Sequence, residues 1–266
     1  LNFSIHTWNV NSVRARADHI SHWLDTIQPD LFALQETKVT DDLFPTSLFE
    51  KKGYGIEFYG QKSYNGVAIG YKKSKIFSPT SVVKNNPLFV DDQARFLASS
   101  FEISTGFTIR LVCIYVPNGS EVGSDKYHYK LDFLDSLTDF LQLELKTHEN
   151  ICLLGDFNIA PADIDVYDCK IWHEKILCSK AEREKFNKLL ALDFLDTFRV
   201  LNPTKQMFSW WDYRQAAFRR NLGLRIDHIL TTKNLFYSIN KSGITTEIRK
   251  REKSSDHAPC WVEITI

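Results

Sequence analysis

Apolar residues along this chain fall mostly into short runs rich in Val, Ile, Phe and Trp and bounded by Gly, Pro, Asn or Asp. Such runs predict strands over residues 3–8, 30–35, 66–71, 95–102, 108–116, 151–154, 208–211, 226–231 and 260–266. Helical spacing is rarer. Val13, Ala17, Ile20, Leu24 and Ile27 step by three and four, which predicts a helix with Ser12 as its N-cap and Pro29 beyond its end. Tyr127, Leu131, Leu134, Leu137, Leu141 and Leu145 predict a second amphipathic helix, with others expected over 179–192 and 41–51. Strands with a few helices between them predict an α/β fold, two β-sheets packed face to face with helices on the outer sides. No repeat, low-complexity tract or linker divides the 266 residues, so one domain is expected over 1–266.

Composition changes this picture little. Hydrophobic residues make up 43% and charged residues 25%, ordinary for a soluble globular protein, and no apolar run reaches membrane-spanning length. The first ten residues read as a strand with no basic start or small-residue cleavage site, so no secretory signal is expected, although Leu1 is not a Met and leaves a removed presequence open. Five cysteines in no metal-ligand spacing argue against structural zinc and for a reducing, cytoplasmic setting. Net charge is zero, but its distribution is uneven. Residues 214–225 hold four arginines and no acid, 249–253 are basic, and 132–149 are mainly acidic. A bipolar surface of this kind can hold a polyanion on one face, although charge runs also simply solvate a surface.

Six patches place acidic and amide residues directly at the ends of apolar strands: Trp8-Asn9-Val10-Asn11, Leu34-Gln35-Glu36-Thr37-Lys38, Tyr115-Val116-Pro117-Asn118-Gly119, Gly155-Asp156-Phe157-Asn158, Arg225-Ile226-Asp227-His228 and Ser255-Asp256-His257-Ala258-Pro259. Each alone reads as a turn, a cap or a surface residue past a strand end. Delivered to one rim, however, these carboxylates would repel each other unless a cation neutralised them. Hard oxygen ligands without clustered thiols or imidazoles favour Mg²⁺, with Mn²⁺ as a substitute, and suit phosphoryl chemistry.

In order and context the six motifs resemble the exonuclease III-type apurinic/apyrimidinic endonucleases of the endonuclease/exonuclease/phosphatase superfamily. The resemblance spans residues 9–259 and includes Phe208-Ser209-Trp210-Trp211-Asp212-Tyr213-Arg214 and Asn221-Leu222-Gly223-Leu224-Arg225-Ile226-Asp227. It implies a four-layer sandwich of two mixed β-sheets with helices on the outer faces, like deoxyribonuclease I. It further implies Glu36 as principal metal ligand with Asn11 and Asp256 near the ion. Asp156 would orient or deprotonate the attacking water, positioned by Asn158 and Asn9. His257 would contact the phosphate, held in its tautomer by Asp227, and Tyr115 would bond the phosphate or assist the leaving group. Some relatives carry Asp where this chain has Asn11, which argues against a tight second metal site.

The resemblance also points to DNA. Trp210, Leu224 and Ile226 would line a pocket for an extruded abasic sugar, and Arg14, Arg16, Lys38, Arg214, Arg219 and Arg220 could grip flanking phosphates. The expected reaction is hydrolysis 5′ to an abasic site in duplex DNA, leaving a 3′-hydroxyl, with 3′-to-5′ exonuclease and 3′-phosphodiesterase or phosphatase activity on blocked ends. The expected protein is a monomer with no membrane partner. Two other classes compete, a phosphoesterase acting on lipid or a soluble phosphate and a catalytically silent DNA-binding module. The first would make the Trp210 and Arg-rich segments dispensable, and intact Glu36, Asp156, Asn158, Asp227 and His257 argue against the second.

Overall fold

The structure is a computed structural model that describes residues 2–104 and 106–266. Its strands are β1 (Asn2–Asn9), β2 (Leu31–Gln35), β3 (Tyr54–Tyr59), β4 (Val67–Lys72), β5 (Thr80–Lys84), β6 (Phe96–Ser104), β7 (Phe107–Tyr115), β8 (Ile151–Asp156), β9 (Phe194–Asp196), β10 (Asp227–Thr232), β11 (Ile239–Ile244) and β12 (Cys260–Thr265). The helices are α1 (Ala17–Thr26), α2 (Thr46–Glu50), α3 (Asp125–Glu144), α4 (Cys169–Trp172), α5 (Lys180–Ala191), α6 (Thr197–Leu201) and α7 (Lys233–Phe236).

The strands form two six-stranded sheets, ordered β11-β12-β1-β2-β4-β3 and β5-β6-β7-β8-β10-β9. Both are mixed, with β1 parallel to β2 and β7 parallel to β8. Alternation along each strand divides its side chains between two faces. Phe3 and Ile5 of β1, Leu31 and Ala33 of β2, Leu111 and Cys113 of β7, and Cys152 and Leu154 of β8 meet in the core between the sheets. The opposite set faces outward. Trp8, Phe32 and Leu34 pack under Ile20, Trp23 and Leu24 of α1 and Phe49 of α2. Val112, Ile114, Ile151 and Leu153 pack under Phe133, Leu137 and Phe140 of α3 and Phe186 and Leu189 of α5. The result is the expected four-layer sandwich. Among the described residues no helix is long and apolar enough to cross a membrane.

Local departures from the sequence reading have physical causes. The first helix starts at Ala17, not after Ser12, because residues 13–16 form a turn in which Ser12 Oγ accepts from Ala15 N at 3.2 Å. The helix expected over 41–51 is interrupted at Pro45, leaving a 3₁₀ turn at Asp41–Leu43 and the short α2. Residues 208–211 form no strand. Their backbone is bonded instead to Leu224, Asp256 and Ala258. The strands β3, β5, β9 and β11 were not foreseen, and each lies at an edge of its sheet.

Candidate active site

The same alternation that fills the core carries polar residues to one rim. Asn9 ends β1, Tyr115 ends β7 and Asp156 ends β8, each in the inward phase set by Ile5, Cys113 and Leu154. β10 runs antiparallel to β8, so its first residue, Asp227, lies opposite Asp156. Gly155 makes this crowding possible, since a Cβ there would stand 1.9 Å from Ile114 O. Around the rim Asn11, Glu36, Lys38 and Asn158 all adopt positive φ, between 47° and 55°. For residues with a Cβ this conformation costs roughly 1–2 kcal/mol each, and the loops over-determine it with bonds such as Thr37 N to Gly66 O and Lys38 N to Asn65 O.

The rim side chains form one connected set. Asn9 Nδ2 donates to Glu36 Oε1 and to Asp156 Oδ2, each at 2.9 Å. His257 Nδ1 lies 2.8 Å from Asp227 Oδ2, and its Nε2 lies 3.7 Å from Asp156 Oδ2. Asn158 N donates to Asp156 Oδ1 at 2.9 Å, while Asn158 Nδ2 donates to Val116 O. The loop bearing His257 is laced to both sheets. Ser255 Oγ donates to Asn9 O and Trp8 Nε1 donates to His257 O, while Ala258 N donates to the carbonyl of Ser209, whose Oγ accepts from both Ile226 N and Asp227 N.

Burial and proximity tune these groups. Burial pushes the Asp156 carboxyl up to about 7, with Asp227 and Glu36 adding to the shift and His257 and the Asn9 bond opposing it. Burial alone would push the His257 imidazole down, but the flanking Asp227 and Asp156 outweigh it and raise the ring to about 10. Near neutral pH the pair is an imidazolium beside a carboxylate poised to take a proton. Tyr115 is raised well above its ordinary range by burial and by the Glu36 and Asp156 charges. Arg95 opposes that shift, its guanidinium 4.7 Å from the Tyr115 ring centre.

The donor set fits a hard divalent cation. Ligand atoms of Glu36, Asp156 and His257 lie within 4.8 Å of one another, but a protonated His257 cannot ligate, which leaves the carboxylates. Glu36 Oε2 and Asn11 Oδ1 converge on the Lys38 ammonium at 2.8 and 2.6 Å, so their oxygens already aim at a positive charge. Asp256 stands beside Asn11. Its Oδ1 accepts from Asn11 Nδ2 and its Oδ2 from Trp210 Nε1, both at 3.0 Å, which ties it to the Asn11 side of the site.

An apolar cluster flanks the carboxylates. Leu224 and Ile226 are fully buried with Ala160, Val166, Leu177 and Cys178, and half-buried Trp210, Trp172 and Ile176 cover them. The three residues expected around the sugar pocket, Trp210, Leu224 and Ile226, thus belong to one apolar cluster, with Trp210 its more exposed member. Trp211 is core, with its Nε1 bonded to Asn221 Oδ1.

The expected phosphate contacts divide. Arg14, Arg219 and Arg220 are exposed. Arg214 is exposed but clamped to Asp212. Arg16 is partly exposed and donates to Asn11 O, Tyr213 OH and Ser254 O. Lys38 belongs to the carboxylate site. Two members of the basic runs are internal: Arg225 is buried between Asp165 and Asp196, and Arg249 packs against Phe218, Tyr213 and Trp211. Sequence reasoning missed Arg95 and Asn118, whose Nδ2 donates to Asn158 Oδ1 at 3.3 Å. Asn118 was visible inside the Tyr115 motif, whereas Arg95 carried no signal beyond its place at a strand start.

A family model described as the endonuclease/exonuclease/phosphatase family matches residues 6–257. The chain is 36% identical to exodeoxyribonuclease III of Haemophilus influenzae, over 97% of this chain and 98% of that one. Among solved structures it is similar to a 3′ phosphatase from Neisseria bound to product DNA hairpin, at 39% identity and a TM-score of 0.93, covering 99% of this chain and 100% of that one. It is likewise similar to an AP endonuclease from Archaeoglobus fulgidus, at 33% identity and a TM-score of 0.91 with the same coverage. The protein thus belongs to the endonuclease/exonuclease/phosphatase family, as a member of its exonuclease III type.

Proposed function

We propose that this protein is a Mg²⁺-dependent DNA-repair endonuclease that hydrolyses the phosphodiester 5′ to an abasic site in duplex DNA and leaves a 3′-hydroxyl. In this reading residues 1–266 act as one monomeric unit that also trims blocked 3′ ends, as phosphatase, phosphodiesterase and 3′-to-5′ exonuclease. One observation carries it: Asn9 joins Glu36 to Asp156 while His257 bridges Asp156 and Asp227, beside an apolar wall at Trp210. The exodeoxyribonuclease III and AP endonuclease relatives add support.

A divalent cation held by Glu36 with Asn11 beside it would screen the phosphate charge and make its phosphorus a better electrophile. The protein's own groups do the rest. Asp156, raised to about 7, accepts a proton from water, and Asn9 and Asn158 N fix which carboxylate oxygens face which neighbour. His257 stays protonated through Asp227 and offers its Nε2 proton to a phosphate oxygen, where negative charge grows as the water attacks. Tyr115, kept neutral by its surroundings, offers a phenolic proton to the same phosphate or to the departing oxygen. Trp210 supplies a flat apolar wall suited to a sugar without a base.

The test is incision of an end-labelled abasic duplex with Mg²⁺ and then with chelator. A nick 5′ to the abasic residue that disappears with chelator is expected. Turnover of lipid or soluble phosphoesters with no DNA cleavage, or binding without any cleavage, would overturn it.

A further inference from the structure

Below the rim lies a pair of opposite charges that the mechanism does not use. Lys130 of α3 and Glu182 of α5 are both fully buried and joined in an ion pair. The lysine interrupts the apolar face of α3, three residues after Tyr127 and four before Leu134, both buried. An ammonium has three protons, and here each has an acceptor: Glu182 Oε1, Asn158 O at 2.7 Å and Asn118 O at 3.2 Å. Glu182 is saturated as well. Its Oε1 also accepts from Leu177 N, and its Oε2 accepts from Ser179 N and Oγ, closing the capping box that starts α5.

A buried ion pair is weak evidence for stability, since an apolar pair of similar volume often does as well. What apolar residues cannot do is hold two carbonyls from different loops. Asn118 follows β7 and Asn158 follows β8, and both carbonyls converge on the one Nζ. From there the connection to the carboxylate is short: Lys130 holds Asn158 O, and Asn158 N donates to Asp156 Oδ1 at 2.9 Å. Asn158 is in the left-handed region at φ 51°, a conformation that needs such restraint.

We infer that Lys130, neutralised by Glu182, is a positioning residue for hydrolysis: it clamps the Asn118 and Asn158 loops together and through Asn158 sets the orientation of Asp156. It touches neither phosphate nor water. The inference rests on the proposed reading of the rim as a phosphodiester site.

The test compares wild type, Lys130→Met, Lys130→Met/Glu182→Gln, Asp156→Asn and the combination of the last two on the abasic duplex with Mg²⁺, with thermal unfolding followed in parallel. Lys130→Met alone strands a buried carboxylate and melts early, whereas the paired variant removes both charges and recovers most of the melting temperature. In the paired variant kcat is expected to fall roughly 10- to 100-fold, as misplacement of a reacting group by about 1 Å can cause. Its KM stays near the wild-type value, because DNA-facing residues are untouched. Added to Asp156→Asn, the paired change should cost little more, since it acts through that carboxylate. Wild-type kcat in the stable paired variant, or losses that multiply fully with Asp156→Asn, would overturn the positioning role while leaving the functional reading intact. A wild-type protein that does not cleave DNA would remove the reading itself, and this inference with it.

Discussion

Trp210 Nε1 donates to Asp256 Oδ2 at 3.0 Å, which fixes the apolar wall to the residue immediately before His257. Any ligand that presses on the indole therefore also bears on the loop that carries the imidazole, and the pocket and the chemistry share one mounting. Trp210→Ala removes both wall and bond. It should lower kcat/KM for abasic incision by roughly 10- to 200-fold, the range for contacts in an apolar pocket, while hydrolysis of a small aryl phosphodiester falls much less. Trp210→Phe, which keeps the wall and loses the bond, should fall between. Equal losses on both substrates would take Trp210 out of the pocket.

Asp156 accepts from Asn158 N at Oδ1 and from Asn9 Nδ2 at Oδ2, so an amide keeps the shape of the carboxylate but can satisfy only one of these two donors. Asp156→Asn cannot accept a proton from water. Turnover should drop by a factor of roughly 100 to 10,000, the usual weight of a general base, with duplex affinity by fluorescence anisotropy close to wild type. Near-normal cleavage would assign the proton to another group.

How much of this was legible beforehand follows from periodicity. Asn9, Tyr115, Asp156 and Asp227 sit at ends of strands whose two-residue alternation is clear, so phase alone carries them to one face and one end. Edge strands lack that signal. Thr80–Lys84 is exposed at four of its five positions, and exposure on both faces removes the alternation that would betray a strand. Charged residues misled in the opposite way. Arg225 reads as part of a surface basic run and Lys130 sits in an amphipathic helix with no mark of its own, yet Arg225 is held by Asp165 and Asp196 and Lys130 by Glu182, partners between 29 and 60 residues away. Only tertiary pairing makes such burial affordable, and pairing at that separation leaves no local pattern.

Arg219 is exposed on the segment that follows Trp210 and Trp211. If it contacts a DNA phosphate, Arg219→Ala should reduce the slope of log K against log salt by about 0.9 for B-form DNA, with little effect on cleavage of a small phosphodiester. Binding isotherms at several salt concentrations read this directly, and an unchanged slope retires the contact.

The last prediction concerns acid stability and rests on His228, which is buried behind the site. Its Nε2 donates to Ile159 O at 2.8 Å, while its Nδ1 lies 2.9 Å from Arg225 Nη1 and must accept from it. Burial, reinforced by the Arg225 charge, pushes this imidazole down to about 4. Between pH 6.5 and 4 the unfolded chain therefore binds a proton that the folded protein refuses. Stability from this residue is complete above pH 6.5 and is lost as pH falls towards 4, by about 3 kcal/mol over the window. Asp156, whose carboxyl is raised to about 7, acts in the opposite direction, so the whole-protein curve mixes signs. The difference between wild type and His228→Gln isolates the histidine. Between pH 4.5 and 6 the variant's unfolding free energy, from urea titrations, should rise less steeply with pH, by about 1.4 kcal/mol per unit. Parallel slopes would mean that His228 takes up its proton in the folded protein as readily as in the unfolded chain, which the guanidinium at 2.9 Å forbids.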